Sequence, residues 1–372
     1  MHLILKTIRH IPVITLSLSI LISGIYYTSI PLYITILIIF LINREKNDEW
    51  KDILLCYSIS IFALIINENV IQATNFTPIS QRLFDFFQLE INLDISYFIY
   101  TTKIFLILFL INFINPQIEI KIKLYLDIIL SLFLAYVYFT NIDFYGSTRL
   151  SFVLGFDRLY PGTTAIYLFI FLIFSFKNKL YILLSFSIFL GYLTETRNFN
   201  LGIIVVIICY IFKPLLTIYL RNRYSFILFY LTVNGISLWL MGLIDSGKLD
   251  GFKILDMRIF DFTHSSGRFE WDMVGIKEWT NSYNNLIWGY GNWPDEGLNP
   301  HNSLIQSLLE RGFITTIFMI VLLFKNLHKH VTLIPWLFGF LTMTLFYPVN
   351  FVSTYWLLIM IILKFRLVSS HS

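Results

Sequence analysis

The clearest candidate for chemistry in this sequence is a histidine at the predicted start of a helix. His301 lies in Asn299-Pro300-His301-Asn302-Ser303, at the end of the longest polar stretch and directly before an apolar run. Asn299 is a favourable N-cap and Pro300 suits the first helical position, so the pattern predicts a helix that begins here. His301 would then lie in the first turn, where unpaired N–H groups and the helix dipole disfavour imidazolium. We therefore expect a neutral imidazole that can accept a proton.

The run after His301 predicts an amphipathic helix with one unusual position. Apolar residues recur at helical spacing, at Leu304, Ile305, Leu308 and Leu309. Gly312 interrupts the run and lowers helix propensity, which predicts a point of close packing.

Arginines are the second group of residues suited to chemistry. A guanidinium grips phosphate or carboxylate through two parallel hydrogen bonds, which an ammonium group cannot do. Seven arginines lie outside the lysine-rich connections described below, and they predict an anion-binding face: Arg82, Arg149, Arg158, Arg197, Arg258, Arg268 and Arg311.

Each of these residues also has a purely structural explanation. His301 is as readily a buried histidine with satisfied hydrogen bonds, and Arg149 could extend along apolar surface to the membrane interface. Arg197 could pair with Glu195, and Arg268 could be a solvated loop arginine. Arg311 could face only lipid headgroups.

Composition fixes the class of protein that must position these residues. Of the 372 residues, 57% are hydrophobic and 13% are charged, against about 45–50% and about 25% in soluble domains. The chain is predicted to be an all-α integral membrane protein. Cys56 and Cys209 lie in apolar runs, so we expect neither a disulfide nor a metal site. Nothing in the sequence resembles a phosphate-binding P-loop or a zinc motif, and no cofactor and no nucleic acid are expected.

Apolar runs of the length needed to cross a membrane predict about twelve transmembrane helices. They lie at about 11–27, 30–43, 52–67, 95–115, 123–140, 163–176, 179–194, 199–213, 225–244, 303–324, 331–347 and 350–365. This divides the chain into helices 1–9 (residues 1–244), a large outer loop (245–302) and helices 10–12 (303–372).

Basic residues indicate which side of the membrane each connection occupies. With the spans threaded in order, 16 of the 27 basic residues fall on one side: Lys6, Arg9, Arg44, Lys46, Lys51, Lys121, Lys123, Lys177, Lys179, Lys213, Arg221, Arg223, Lys325, Lys329, Lys364 and Arg366. The positive-inside rule makes that side cytoplasmic, with both termini inside. His301 and the seven arginines then lie toward the outer face.

The loop at 245–302 carries its own signals. Residues 267–281 predict an amphipathic helix with Phe269, Met273, Ile276 and Trp279 on one face. Its tryptophans favour a segment that lies on the membrane surface. Gly289 then begins a glycine- and proline-rich turn region before His301.

Four stretches, in this order, resemble the bacterial O-antigen ligase and polymerase superfamily. They are Arg149-Leu150-Ser151-Phe152 followed by Pro161-Gly162-Thr163-Thr164-Ala165; Leu193-Thr194-Glu195-Thr196-Arg197; Ser266-Gly267-Arg268 with Trp271, Trp279 and Gly289-Tyr290-Gly291; and His301-Asn302-Ser303 with Gly312. The motifs cover roughly residues 145–325, and the predicted topology extends the resemblance to the whole chain.

The resemblance implies a metal-independent glycosyltransferase of the bacterial inner membrane with a periplasmic active site. The family's ligases move a glycan from undecaprenyl diphosphate to a sugar hydroxyl of lipid A–core, with inversion at the anomeric carbon. By this resemblance, Arg197 and Arg268 bind the diphosphate, and His301 acts as base or positions the acceptor. Arg149 lines the path of the donor, and Arg158, Asn302 and Arg311 contribute to substrate binding.

The sequence leaves related activities open. The same motifs occur in polymerases that join lipid-linked repeat units, although the Thr194–Arg197 and Arg149–Phe152 stretches look closer to the ligases. A flippase of lipid-linked sugars is the non-enzymatic alternative, but it would need charged groups along its core spans. The expected partners are the lipid-linked donor, the lipid A–core acceptor, membrane lipids and other O-antigen assembly proteins.

Overall fold

The computed structural model is mostly helical over the residues that it describes. These are 16–22, 34–36, 50–70, 101–102, 105–106, 109–110, 117–120, 123–145, 149–154, 157–158, 161–219, 223–248, 252–253, 261–262, 268–290, 300–324, 330–347, 354–364 and 366–369. The predictions for Arg82, Arg258 and Asn299 lie outside these ranges.

The helices and strands follow one another in an order dominated by helices. In chain order the helices are α1 Trp50–Val70, α2 Lys123–Asn141, α3 Pro161–Asn178, α4 Tyr181–Leu193, α5 Arg197–Ile211, α6 Lys213–Tyr219, α7 Arg223–Asp245, α8 Arg268–Trp279, α9 Tyr283–Trp288, α10 Ser303–Phe324, α11 Ile334–Thr344 and α12 Thr354–Lys364. The strands are β1 Gln117–Ile120, β2 Ile142–Tyr145, β3 Arg149–Leu154, β4 Asp157–Arg158, β5 Phe252–Lys253, β6 Asp261–Phe262 and β7 Arg366–Ser369.

Several helices match the predicted apolar spans closely. α2, α3, α7 and α10 begin and end within two residues of the predicted bounds. Within the described residues, Tyr224–Asp245 and Ser303–Leu322 are long and apolar enough to cross a membrane. α11 has 11 residues, so it rises about 17 Å, against about 30 Å for a hydrocarbon core. The two long helices agree with the membrane character predicted from composition.

One end of the bundle gathers basic residues from separate connections. Lys177, in the last turn of α3, donates from Nζ to the carbonyls of Ile362 (2.6 Å) and Leu363 (2.7 Å), near the end of α12. β1 and β7 pair in parallel, with Gln117 opposite Arg366. We call this the lysine end, defined by Lys177, Lys364 and Arg366. All three belong to the 16 basic residues that the sequence predicted to lie on one side of the membrane.

Helices α5 and α11 pack closely against each other, and their contact continues toward the end of the bundle opposite the lysine end. A Cβ added at Gly339 would lie 2.7 Å from the Gly202 carbonyl oxygen, so only a residue without a side chain fits there. One turn before Gly202, Asn198 donates from Nδ2 to the Phe346 carbonyl at 3.2 Å. The start of α5 therefore lies beside the end of the α11 segment.

The connection at 141–162, predicted only as a polar loop, contains short strands. β2 pairs antiparallel with β3, placing Tyr145 opposite Arg149, and β3 pairs with β4, placing Val153 opposite Arg158. The all-α prediction therefore describes the helical bundle but not this connection. In β3, Leu150 and Ser151 are fully buried, whereas Arg149 at its start is partly exposed.

The helix predicted at 267–281 is confirmed as α8, and the residues that it buries lie outside the predicted apolar face. Asp272 and Gly275 are its buried residues, whereas Met273 is 44% exposed. Gly275 lies against Pro300 and Ile305, where an added Cβ would come within 2.5 Å and 3.1 Å. A polar residue and a glycine face the start of α10, which hydrophobic periodicity alone does not predict.

Gly312 marks the close packing that its position predicted. It has φ +71 and ψ 177, which interrupts helical geometry inside α10. A Cβ there would collide with the backbone of Ile287 and Trp288, and one at Gly289 would collide with the backbone of Arg311 and Gly312. The Tyr290 N–H donates to the Leu309 carbonyl at 2.6 Å. The loop after α9 is thus held against the middle of α10 by close backbone packing and a backbone hydrogen bond.

Candidate active site

His301 lies just before α10 rather than in its first turn. Asn302 is the N-cap, because its Oδ1 accepts from the N–H groups of Leu304 (2.9 Å) and Ile305 (3.3 Å). The prediction that the helix begins at Pro300 is therefore wrong by three residues. The cause is the choice of cap: the amide oxygen of Asn302 satisfies the first-turn donors and starts the helix at Ser303.

A buried carboxylate holds the backbone at His301. Oδ1 of Asp272 accepts hydrogen bonds from the N–H of His301 at 2.7 Å and from the N–H of Asn302 at 3.0 Å. Asp272 is fully buried. Two charge-assisted hydrogen bonds to neighbouring amides fix the orientation of that short backbone segment.

The residue next to Asp272 contacts the imidazole. The rings of Trp271 and His301 lie 4.5 Å apart between centroids, with their planes at 38°. This aromatic contact limits the rotation of the His301 side chain. Consecutive residues of α8 therefore hold His301 by its ring and by its backbone.

The protonation of Asp272 is sensitive to its surroundings. Burial raises the pKa of Asp272 to about 7, opposed by the hydrogen bonds from the Asn302 and His301 amides and by the charge of Arg268. Arg268 is thus close enough to act electrostatically on the carboxylate that holds His301. Arg268 and His301, which the sequence predicted for one site, both interact with Asp272.

Two other predicted arginines are linked through one turn. Arg149 donates from Nε to the Thr194 carbonyl at 3.3 Å. Arg197 follows three residues later as the first residue of α5. Between them Glu195 has φ +47, a sparsely populated conformation for a residue with a side chain. This turn between α4 and α5 places Arg149 beside the segment that carries Arg197.

Phe346 and Tyr347 join these parts of the molecule. The Tyr347 carbonyl accepts from the Ser303 hydroxyl at 3.1 Å, and its phenol hydrogen bonds to the Thr163 hydroxyl. Phe346 accepts from Asn198, as described above. We call this the Tyr347 junction, defined by Thr163, Asn198, Ser303, Phe346 and Tyr347.

Three helices from distant parts of the sequence begin at the Tyr347 junction. Thr163, Asn198 and Ser303 lie at the N-terminal ends of α3, α5 and α10. Backbone N–H groups at such ends carry partial positive charge and bind anions. The Thr196 side chain makes no capping hydrogen bond to the first turn of α5. Arg197 is next to Asn198, and Asn302 and His301 immediately precede Ser303, so the junction is surrounded by predicted site residues.

Arg311 and Arg158 lie elsewhere. Arg311 is 3% exposed and donates from Nη2 to the Thr101 hydroxyl at 3.3 Å. It lies about 12 Å along α10 from Ser303, inside the bundle. Arg158 ends β4, beside the strand that carries Arg149. Their roles in binding substrate stay predictions.

Sequence reasoning missed Asp272 and Tyr347 as parts of this region, and it named Trp271 in a motif without predicting its contact with His301. The available signal for Asp272 was its place four residues after Arg268, on one helical face with a basic residue. Tyr347 ends an apolar run, where a tyrosine is easily attributed to an interfacial belt. Its contacts join distant parts of the chain, so no local pattern predicts them.

The region can bind an anion and accept a proton. Arginine side chains and helix N-termini favour diphosphate or carboxylate, and His301 can act as a base. Among the described residues no three His, Cys, Asp or Glu side chains are grouped so that they could hold a metal ion.

Comparison with known proteins gives no further assignment. No protein-family model, no curated protein and no solved structure matches the chain.

Proposed function

We propose that the chain is an O-antigen ligase, which transfers a glycan from undecaprenyl diphosphate to a sugar hydroxyl of lipid A–core. The observation that carries this proposal is the Tyr347 junction. It joins three helix N-termini around residues that the resemblance assigns to donor binding and catalysis. A diphosphate donor needs such a concentration of positive potential, and an acceptor hydroxyl needs a nearby base.

In the proposed reaction, Arg197 and Arg268 hold the diphosphate of the donor, and Arg149 lines its path to the site. His301 takes the proton from the acceptor hydroxyl as that oxygen attacks the anomeric carbon. The bond from the anomeric carbon to the diphosphate oxygen breaks, and undecaprenyl diphosphate leaves with the electron pair. Arginines and helix N-termini stabilise the charge that develops on the leaving group. Attack from the face opposite the leaving group inverts the anomeric configuration.

The proposed setting is the bacterial inner membrane, with about twelve transmembrane helices and both termini in the cytoplasm. The arrangement of the helices supports this topology. α3, α5 and α10 all start at the Tyr347 junction, whereas α3 and α12 finish at the lysine end. Lysine-rich connections are typical of the cytoplasmic side, so the junction would face the periplasm together with the loop at 245–302.

Two other activities remain as alternatives. An O-antigen polymerase would use the same donor and the same site, with a lipid-linked chain as acceptor. A flippase of lipid-linked sugars is favoured by one observation, which is the buried charge of Arg311 within α10. Charged groups inside spans are typical of transport pathways. Arg197 lies next to Asn198 of the junction, and Arg268 acts on the carboxylate that contacts His301, which favours the enzyme.

Deletion of the gene in its host, followed by gels of surface polysaccharide and of lipid-linked intermediates, separates these activities. A ligase leaves long glycan chains on the lipid carrier and none on lipid A–core. A polymerase leaves single repeat units on lipid A–core without long chains. Intermediates trapped on the cytoplasmic face would overturn the ligase and indicate a flippase.

A further inference from the structure

A buried carboxylate in α8 has no role in the reaction as described, although it contacts the segment that carries the proposed base. Asp272 uses a single oxygen, Oδ1, for both hydrogen bonds to the amides of His301 and Asn302. Its other oxygen, Oδ2, has no hydrogen-bond partner within the described part of the chain. Moving a carboxylate out of water into the protein interior costs free energy. A buried carboxylate such as Asp272 therefore fixes the orientation of the groups that it binds rather than stabilising the fold.

The surroundings of Asp272 are built around His301. Trp271 contacts the imidazole ring, and Gly275, one turn further along α8, leaves room for Pro300. Arg268, one turn before Asp272, acts on the carboxylate through its charge. Trp271 and Gly275 face the start of α10, and together with Asp272 they leave the position of His301 little freedom.

The same two hydrogen bonds also affect Asn302. Because Asn302 caps α10 through its side chain, fixing its backbone N–H also fixes the first turn of the helix. Asp272 thus couples the orientation of His301 to the start of α10, and through Ser303 to the Tyr347 junction.

We propose that Asp272 is a positioning residue for His301, which holds the base in its reactive orientation through the backbone while Trp271 holds its ring. This inference rests on the proposed function, because it assigns His301 the role of base in glycan transfer. It requires that losing the Oδ1 acceptor slows the chemical step and leaves donor binding nearly unchanged.

The test compares Asp272→Ala with Asp272→Asn in the full-length protein, purified in detergent and supplied with undecaprenyl-diphosphate-linked glycan and lipid A–core. The asparagine keeps an oxygen acceptor at the Oδ1 position, whereas alanine removes it. We expect kcat to fall about 30-fold or more for Asp272→Ala with the donor KM changed less than about three-fold, and Asp272→Asn to recover most of kcat. Glu270→Gln, an exposed carboxylate two residues away, is the matched control and should keep wild-type kinetics.

Hydrogen exchange at residues 300–305 gives a readout that does not depend on activity. Exchange at the His301 and Asn302 amides should rise in Asp272→Ala and stay near wild type in Asp272→Asn.

Unchanged exchange or unchanged kcat in Asp272→Ala would overturn the inference, as would an asparagine variant that folds but is as slow as the alanine variant. If Asp272→Ala does not fold, the inference is tested with Asp272→Asn and Trp271→Leu instead. A wild-type kcat in Trp271→Leu would contradict the proposal that the Trp271 ring holds the imidazole of His301. Absence of transfer by the wild type, with the exchange result as expected, would refute the proposed function and leave the structural contact intact.

Discussion

At the scale of single residues, the arginine that starts α5 offers the sharpest test of anion binding. Arg197 lies at an N-terminus whose Thr196 cap provides no side-chain hydrogen bond, next to the Asn198 contact with Phe346. A guanidinium there can grip a diphosphate with two hydrogen bonds, while the helix end adds further donors.

Arg197→Lys should lower the rate of glycan transfer about 10- to 100-fold, because an ammonium group replaces a guanidinium that can make two parallel hydrogen bonds to a phosphate. The measurement is the rate of glycan transfer at equal protein level in the membrane. Arg223→Lys, in the set predicted to be cytoplasmic, makes the same chemical change away from the site and should have no effect. Normal activity of Arg197→Lys would reduce Arg197 to a general positive charge.

Asp272 should make the stability of the protein depend on pH. Its pKa is raised from 3.8 to about 7 in the folded protein. Between these values the folded state holds a proton that the unfolded chain has released. The contribution of this group to stability is therefore complete below about pH 4 and is lost as the pH rises through about 7.

Asp272→Asn removes this titration, so the melting temperature of the wild type should fall relative to that of the variant as the pH is raised from about 5 to about 8. Melting in detergent at a series of pH values measures the difference. The slope is the informative quantity, because the buried amide introduces its own cost at every pH. Parallel melting curves for the two proteins would show that Asp272 does not titrate in this range.

At the scale of helices and loops, the contact between the loop after α9 and the middle of α10 leaves no room for a side chain on either backbone. Gly312 combines φ +71 and ψ 177 with direct contact to the backbone of Ile287 and Trp288. Glycine alone adopts this conformation without strain.

Gly312→Ala should destabilise the protein by about 2 kcal/mol or more, since strain and collision act together. The melting temperature in detergent and the amount of folded protein extracted from membranes report the effect. Gly235→Ala is a matched control, because Gly235 lies inside α7 with no atom within 4 Å of an added Cβ. Equal stability of the two variants would contradict the close packing at Gly312.

The helix elements were the part of the structure that sequence reasoning predicted best. Long apolar runs gave the bounds of α2, α3, α7 and α10 to within two residues, because hydropathy changes abruptly where a helix leaves an apolar environment. The strands around Arg149 were missed, and the cap of α10 was placed at Asn299 instead of Asn302. Short strands and helix caps depend on one or two hydrogen bonds, for which the sequence offered several equivalent candidates.

At the scale of the whole molecule, the site was predicted as a set of residues but not as an arrangement. His301, Arg149, Arg197 and Arg268 were singled out by type and position, and the structure links them through Thr194, Asp272 and the Tyr347 junction. Those linking contacts join residues 29 to 184 positions apart in the chain. Arg311, by contrast, was expected near the outer face and is buried against Thr101.

The two ends of the helical bundle differ in chemistry, as the proposed enzyme requires. At the lysine end, the ammonium group of Lys177 donates to the last carbonyls of α12. The opposite end presents helix N-termini and arginines, and the proposed base lies beside them. A donor with a diphosphate leaving group matches the second end by charge.

The most direct test of glycosyl transfer uses the purified full-length protein in lipid vesicles, with undecaprenyl-diphosphate-linked glycan, lipid A–core and a metal chelator. We expect the wild type to form glycan-bearing lipid A–core, and His301→Ala to form none while remaining inserted and folded. Full transfer by His301→Ala would remove His301 from the mechanism. Absence of transfer by the folded wild type would contradict the proposed ligase.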